Sequence, residues 1–127
     1  MMMKIGMILD QHPDARNLGL KALGYWKSGS EPNLPDPKDF IGTWDNEKIK
    51  RLVINYVKNA QATLHWKGWS ECRFKCSSSD IGSSCLSDGT YVWPEGFYHY
   101  LEAHNVIPPI EFIMHALVET NKLQKQS

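Results

Sequence analysis

Two thiols, Cys72 and Cys76, and two imidazoles, His99 and His104, are the side chains here whose types and order suit a metal ion. They form a Cys-x3-Cys…His-x4-His series, and both short spacings fall within the windows of Cys2His2 zinc sites. The gap between the pairs is longer than in the common finger. Paired soft thiolates favour zinc over magnesium or calcium. Four protein ligands leave no position for water, so the expected role is structural. Geometry sets a condition: on an ideal helix, residues five apart project about 140° from one another. His99 and His104 therefore converge only where the helix tightens or unwinds at its end. Cys85 is the substitute ligand if one histidine is not used. The competing reading needs no metal: the cysteines are small buried side chains, His99 joins a Tyr98/Tyr100 aromatic patch, and His104 meets the last helix carbonyls.

Other chemistry is sparser. Asp88, Glu95, Glu102 and His99 lie close in sequence, and a carboxylate with an imidazole can do acid–base work. Asp88 also suits a turn, and Glu95 suits the positive end of a helix. The sequence has no phosphate-cradling glycine loop, no nucleophile elbow and no His-Glu-x-x-His. Its five tryptophans are many for this length. Most belong in a core, but Trp, Tyr and Arg also dominate binding hot spots. Trp69, Arg73 and Trp93 are the candidate partner-binding residues.

Several elements must position these side chains. The clearest is a helix over Asp45 to Asn59, with Ile49, Leu52, Val53, Tyr56 and Val57 on one face and lysines on the other. Asp45 is the expected cap. From Ala62 the period falls to two, with Ala62, Leu64 and Trp66 alternating with polar residues, which predicts a strand. Cys85 to Ser87 and Thr90 to Trp93 flank Asp88-Gly89, a type I′ hairpin signal. Pro94 suits the first turn of a helix running to His104, with Asn105 left-handed beyond it. A last helix, Pro109 to about Lys122, is expected to bury Ile110, Ile113, Met114 and Leu117 and to fray after Lys122. Upstream, Met3 to Leu9 reads as a short strand or packed arm. Asp14 to Lys27 reads as a weak helix broken by Gly19 and Gly24. The proline-rich stretch Ser28 to Pro37 reads as an extended connection, and Ser77 to Ser84 as a loop.

The chain of 127 residues suits one domain, 1–127. Residues 1–40 form its N-terminal arm and connection, 45–59 its core helix, and 62–122 the hairpin, zinc site and last helices. Fourteen basic residues balance fourteen acidic ones, so no global field draws the chain to nucleic acid or anionic lipid. Three cysteines make a poor disulfide framework. No stretch has the ~18 apolar residues of a membrane span. The N-terminus does not read as a signal peptide. The expected setting is the cytoplasm, with reduced thiols.

The stretch Gly68-Trp69-Ser70-Glu71-Cys72-Arg73-Phe74, then Ser87 to Gly96 (SDGTYVWPEG), then His99-Tyr100 and His104, resembles a set of small bacterial proteins of uncharacterised function. Those carry Cys-Arg-x-Cys, Asp-Gly-x-Tyr-x-Trp-Pro-Glu-Gly-Leu, His-Tyr and a further His. Val106 to Phe112 (VIPPIEF) resembles their Val-x-Leu-Pro-x-Glu-Phe. The likeness spans roughly residues 30–115 and is specific from Gly68 onward. Lys75 departs from it by widening the thiol spacing, and Phe97 stands in place of Leu. The resemblance implies a compact bacterial domain.

The expected fold class is α+β: a small antiparallel sheet packed by about three helices, with a zinc-finger-like ββα element in the C-terminal half. The expected function is a non-enzymatic protein-binding domain with structural zinc, in its most specific form an immunity protein that neutralises a toxin. One alternative is a metal-dependent hydrolase or nuclease using His99 and Glu95. Another is a zinc-stabilised nucleic-acid-binding module, which the neutral charge disfavours.

Overall fold

The computed structural model describes residues 7–9, 19–27, 32–65 and 84–126. The chain is of the α+β class. Its elements are β1 (Lys21–Ala22), a short 3-10 helix (Pro37–Phe40), α1 (Glu47–Lys58), β2 (Gln61–His65), β3 (Ser84–Ser87), β4 (Tyr91–Pro94), α2 (Phe97–Ala103) and α3 (Ile110–Gln126).

The strands form one sheet in the order β1-β4-β3-β2. β2, β3 and β4 pair antiparallel, as expected, but β1 lies parallel to β4. The sheet is therefore mixed. The β3–β4 hairpin and α2 do follow in ββα order, yet β3 pairs onward to β2 and β4 to β1. They are part of a continuous sheet and not a separate finger-like unit.

Alternation sorts the sheet into two faces. Leu86, Tyr91 and Trp93 turn to the main core, which includes Val53 and Val57 of α1, Phe97 and Leu101 of α2, and Phe112 and Ala116 of α3. Cys85 and Val92 turn the other way, onto Ala22 and Tyr25, with Leu9, Leu20 and Leu34 packed at the edge. α1 packs against both later helices.

Local chemistry fixes the boundaries. Asn46, not Asp45, caps α1: its Oδ1 accepts from Lys48 N (2.7 Å) and Ile49 N (3.2 Å). Pro94 ends β4 instead of opening a helix, and α2 starts after Gly96. Asn105 takes the expected left-handed conformation, φ 52°. Around it, the amides of His104 and Val106 both donate to the Tyr100 carbonyl (3.3 and 3.1 Å), which closes α2.

Upstream, 19–27 is extended rather than helical. Gly19 and Gly24 have φ of +69° and +81°, a region open to glycine and closed to a helix. Met7 is buried, and Leu9 pairs with Ala22 through two backbone bonds (2.7 and 2.9 Å), so this part of the arm packs on the sheet. Residues 14–18 and 77–83, parts of the expected helix and loop, lie outside the described residues. α3 continues to Gln126. Its inward face is Phe112, Ile113 and Ala116, whereas Ile110 and Met114 are 70% and 54% exposed.

Candidate functional site

Among the described residues, Asp88 at the β3–β4 turn is a polar hub bonded to the hairpin and to two helices. Gly89 alone at this turn has positive φ (+93°), so the turn is not type I′. The carboxylate does the closing: Oδ1 accepts from Thr90 N (2.9 Å) and Tyr91 N (2.8 Å). Ser87 Oγ donates to the Tyr91 carbonyl (2.7 Å) and accepts from Gly89 N (3.0 Å). The turn role expected of Asp88 thus holds.

Its second oxygen does something the sequence did not disclose. Oδ2 accepts the Tyr56 hydroxyl of α1 and lies 2.8 Å from His115 Nε2 of α3. One carboxylate therefore joins the hairpin to two helices. Its side chain is only 9% exposed. Burial alone would raise the Asp88 carboxyl, but bonds from Tyr56, the Tyr91 and Thr90 amides and His115 outweigh it and hold it below the ordinary carboxylate range. Burial, the bond to Asp88, and the charges of Asp88 and Glu119 push the Tyr56 phenol far above the ordinary tyrosine range. This is a charge-assisted clamp with its lone pairs in use. Tyr56 was legible as a core-face residue. His115 was not singled out; its only signal is a histidine three residues after Phe112 on an apolar helix face.

Beside the clamp runs a groove of about 880 Å3, between the end of α1, the start of β2, the hairpin turn and α3. Asn55, Tyr56, Asn59, Gln61, Asp88 and Glu119 are among its polar lining residues.

The two candidate metal ligands that fall among the described residues come together. α2 ends at Ala103, and His104 leaves the helix as its cap, with φ −121° and ψ 6°. That unwinding brings the His99 and His104 ring centroids to 5.0 Å. Two imidazoles on one tetrahedral zinc, with Zn–N of 2.0–2.1 Å, hold their centroids roughly 5 Å apart. An edge-to-face ring pair has the same spacing, so the geometry admits a shared ion without requiring one. Burial, and next the neighbouring His104, lower the His99 pKa, with Glu102 acting oppositely. Both leading effects favour the neutral imidazole that a metal binds.

Cys72, Cys76, Trp69 and Arg73 lie outside the described residues. Among the described residues, no three His, Cys, Asp or Glu side chains are placed to hold a metal. Cys85 is fully buried on the sheet face that carries Tyr25, and its Sγ is 3.2 Å from the Tyr25 hydroxyl. Trp93, expected at a partner surface, is instead fully buried and donates Nε1–H to the Val57 carbonyl (3.2 Å). Its ring packs edge-on to Phe112, which makes it a core residue.

Among the described residues, the large apolar side chains that stay exposed are Ile41 and three on α3. Ile110, Met114 and Val118 form an i, i+4, i+8 row along α3 and are 70%, 54% and 49% exposed. Among the described residues, no helix is long and apolar enough to cross a membrane.

No family model matches the chain, and no curated protein or solved structure matches it either.

Proposed function

We propose that this chain is a small non-enzymatic protein-binding domain that docks its partner along the outer face of α3. The observation that carries the reading is the row Ile110, Met114 and Val118. On a helix already anchored by Phe112 and Ala116, three large apolar side chains still leave about half or more of their surface unburied by folding. Apolar anchors at i, i+4 and i+8 suit helix-in-groove recognition. The occupied lone pairs of Asp88 and the strongly held Tyr56 proton support the non-enzymatic side of the proposal.

A structural zinc on Cys72, Cys76, His99 and His104 belongs to the same proposal, supported by the proximity of the two imidazoles. So do Trp69 and Arg73 as further contacts, a cytoplasmic setting, and the resemblance to small bacterial proteins. The specific form is an immunity protein whose partner is a toxin encoded by a neighbouring gene.

The test is co-expression with the neighbouring gene product, comparing the native chain with Met114→Lys and Val118→Lys. Both positions are exposed, so circular dichroism and thermal midpoints should match the native chain. The native chain should form a complex, and each variant should bind at least about tenfold more weakly, the loss of one interface anchor. A complex of unchanged affinity would remove this face from consideration.

A further inference from the structure

We infer that the groove between the end of α1, the hairpin turn and α3 is a binding site for a guanidinium or alkylammonium group. This site is separate from the α3 row and does not depend on it. Its volume, about 880 Å3, lies within the range of small-ligand pockets and exceeds one arginine side chain. Its polar lining includes groups able to accept hydrogen bonds, the side-chain amides of Asn55, Asn59 and Gln61, the Thr120 hydroxyl and the Glu119 carboxylate, and the Asn59 NH2 is already turned to the Asn55 carbonyl (2.8 Å). No Lys, Arg or His is among the described residues that line it.

Three sources of negative potential converge there. The first is the C-terminal end of α1, where Asn55 and Asn59 stand at the negative pole of the helix dipole. The second is Asp88 in the groove lining. Its lone pairs are spent on the clamp, so it acts through its charge and not through a direct bond. The third is Glu119, whose charge, like that of Asp88, acts on the Tyr56 phenol. Lys122 engages Glu119 through Oε1 at 3.2 Å, but that pair is solvent-exposed and weak enough for a ligand to displace. Tyr56 adds an aromatic ring, and a guanidinium combines several donors with a plane that stacks on such a ring. The same cation reaches a cell as a free small molecule or as an arginine on a protein segment.

The test follows the side-chain amide resonances of Asn55, Asn59 and Gln61 in the full chain during titration with arginine amide. Citrulline amide, whose neutral ureido group replaces the guanidinium, is the control, and the α-amino group of both amides is acetylated so that the guanidinium is the only cation compared. Saturable shifts with arginine amide and none with citrulline amide are expected. Glu119→Gln should weaken binding about fivefold, the difference between a charge-assisted and a neutral hydrogen bond. Gln61→Glu should tighten it. An alkylguanidine that binds as well as an arginine-containing tripeptide identifies a free cation as the natural source; a clear preference for the tripeptide identifies a protein segment. Equal response to citrulline amide, no shift at any of the three amides, or unchanged affinity in both variants overturns the site.

Discussion

Asp88 shows how one residue serves both turn chemistry and tertiary assembly. Its Oδ1 closes the hairpin within three residues, while its Oδ2 reaches Tyr56 and His115, 32 and 27 positions away. Removing the charge should therefore cost more than an ordinary turn residue would. Asp88→Asn is expected to lose roughly 2–3 kcal/mol, the scale of hydrogen bonds to a buried charge. Tyr56→Phe should lose less, and a double-mutant cycle between the two should show clear coupling, because the bonds share one oxygen. The pH dependence has a definite sign. The folded carboxyl is held below its ordinary value, so its contribution is present above about pH 3.9 and lost as pH falls through the folded pKa. Urea midpoints of native and Asp88→Asn protein should converge on acidification. A constant gap across that window would show that the charge is not what stabilises the clamp. The turn role was legible because Asp-Gly between two β-rich runs announces itself. The partners were not, since no local pattern links a helix tyrosine and a helix histidine to a turn.

Helices and strands were legible where their periodicity was one-sided. α1 has an apolar stripe backed by lysines, and its position matches; of its buried residues Val53 and Val57 lie on that stripe, while Ile54 beside them is buried as well. α3 is apolar at 110, 112, 113, 114, 116, 117 and 118, so several stripes compete and periodicity cannot choose among them. Packing chose Phe112, whose ring meets Tyr91 at 5.1 Å and Trp93 at 5.5 Å. That choice put Ile110 and Met114 outside. The segment before the 3-10 helix was misread because its glycines serve extended chain. Gly24 has φ +81°, and a Cβ there would lie 2.6 Å from Phe97 Cδ1, in a fully buried ring. Gly89 has a similar positive φ (+93°) but open space where a Cβ would be. Gly24→Ala should therefore add overpacking of about 1–3 kcal/mol to the left-handed cost of about 1–2 kcal/mol that Gly89→Ala pays alone. Chemical denaturation of the two variants tests this. Equal losses would mean that the Phe97 ring shifts freely.

At the scale of the molecule, the mixed sheet separates two tasks. One face carries the aromatic core under three helices; the other holds Cys85 in a small apolar cluster with Ala22, Tyr25 and Val92. This separation sharpens the zinc proposal, because it gives the third cysteine a packing role that competes with metal binding. The sequence alone ranked Cys85 as a substitute ligand, since spacing cannot say which face of a strand a thiol occupies. The two imidazoles were legible as a pair, and their convergence followed the condition set by helix geometry: α2 unwinds at His104. Protein purified without added zinc should contain about one equivalent, as one structural site requires. Cys72→Ser and His99→Ala should lose that metal, and Cys85→Ser should retain it. Because a ligand bound only by the folded state stabilises by mass action, a chelator should lower the thermal midpoint of the native chain and of Cys85→Ser. It should leave Cys72→Ser unchanged. Metal content is the deciding readout, since Cys85→Ser also disturbs a buried contact with Tyr25 and can lower the midpoint with zinc in place. Loss of zinc from Cys85→Ser together with its retention in Cys72→Ser would reverse the assignment of the thiols.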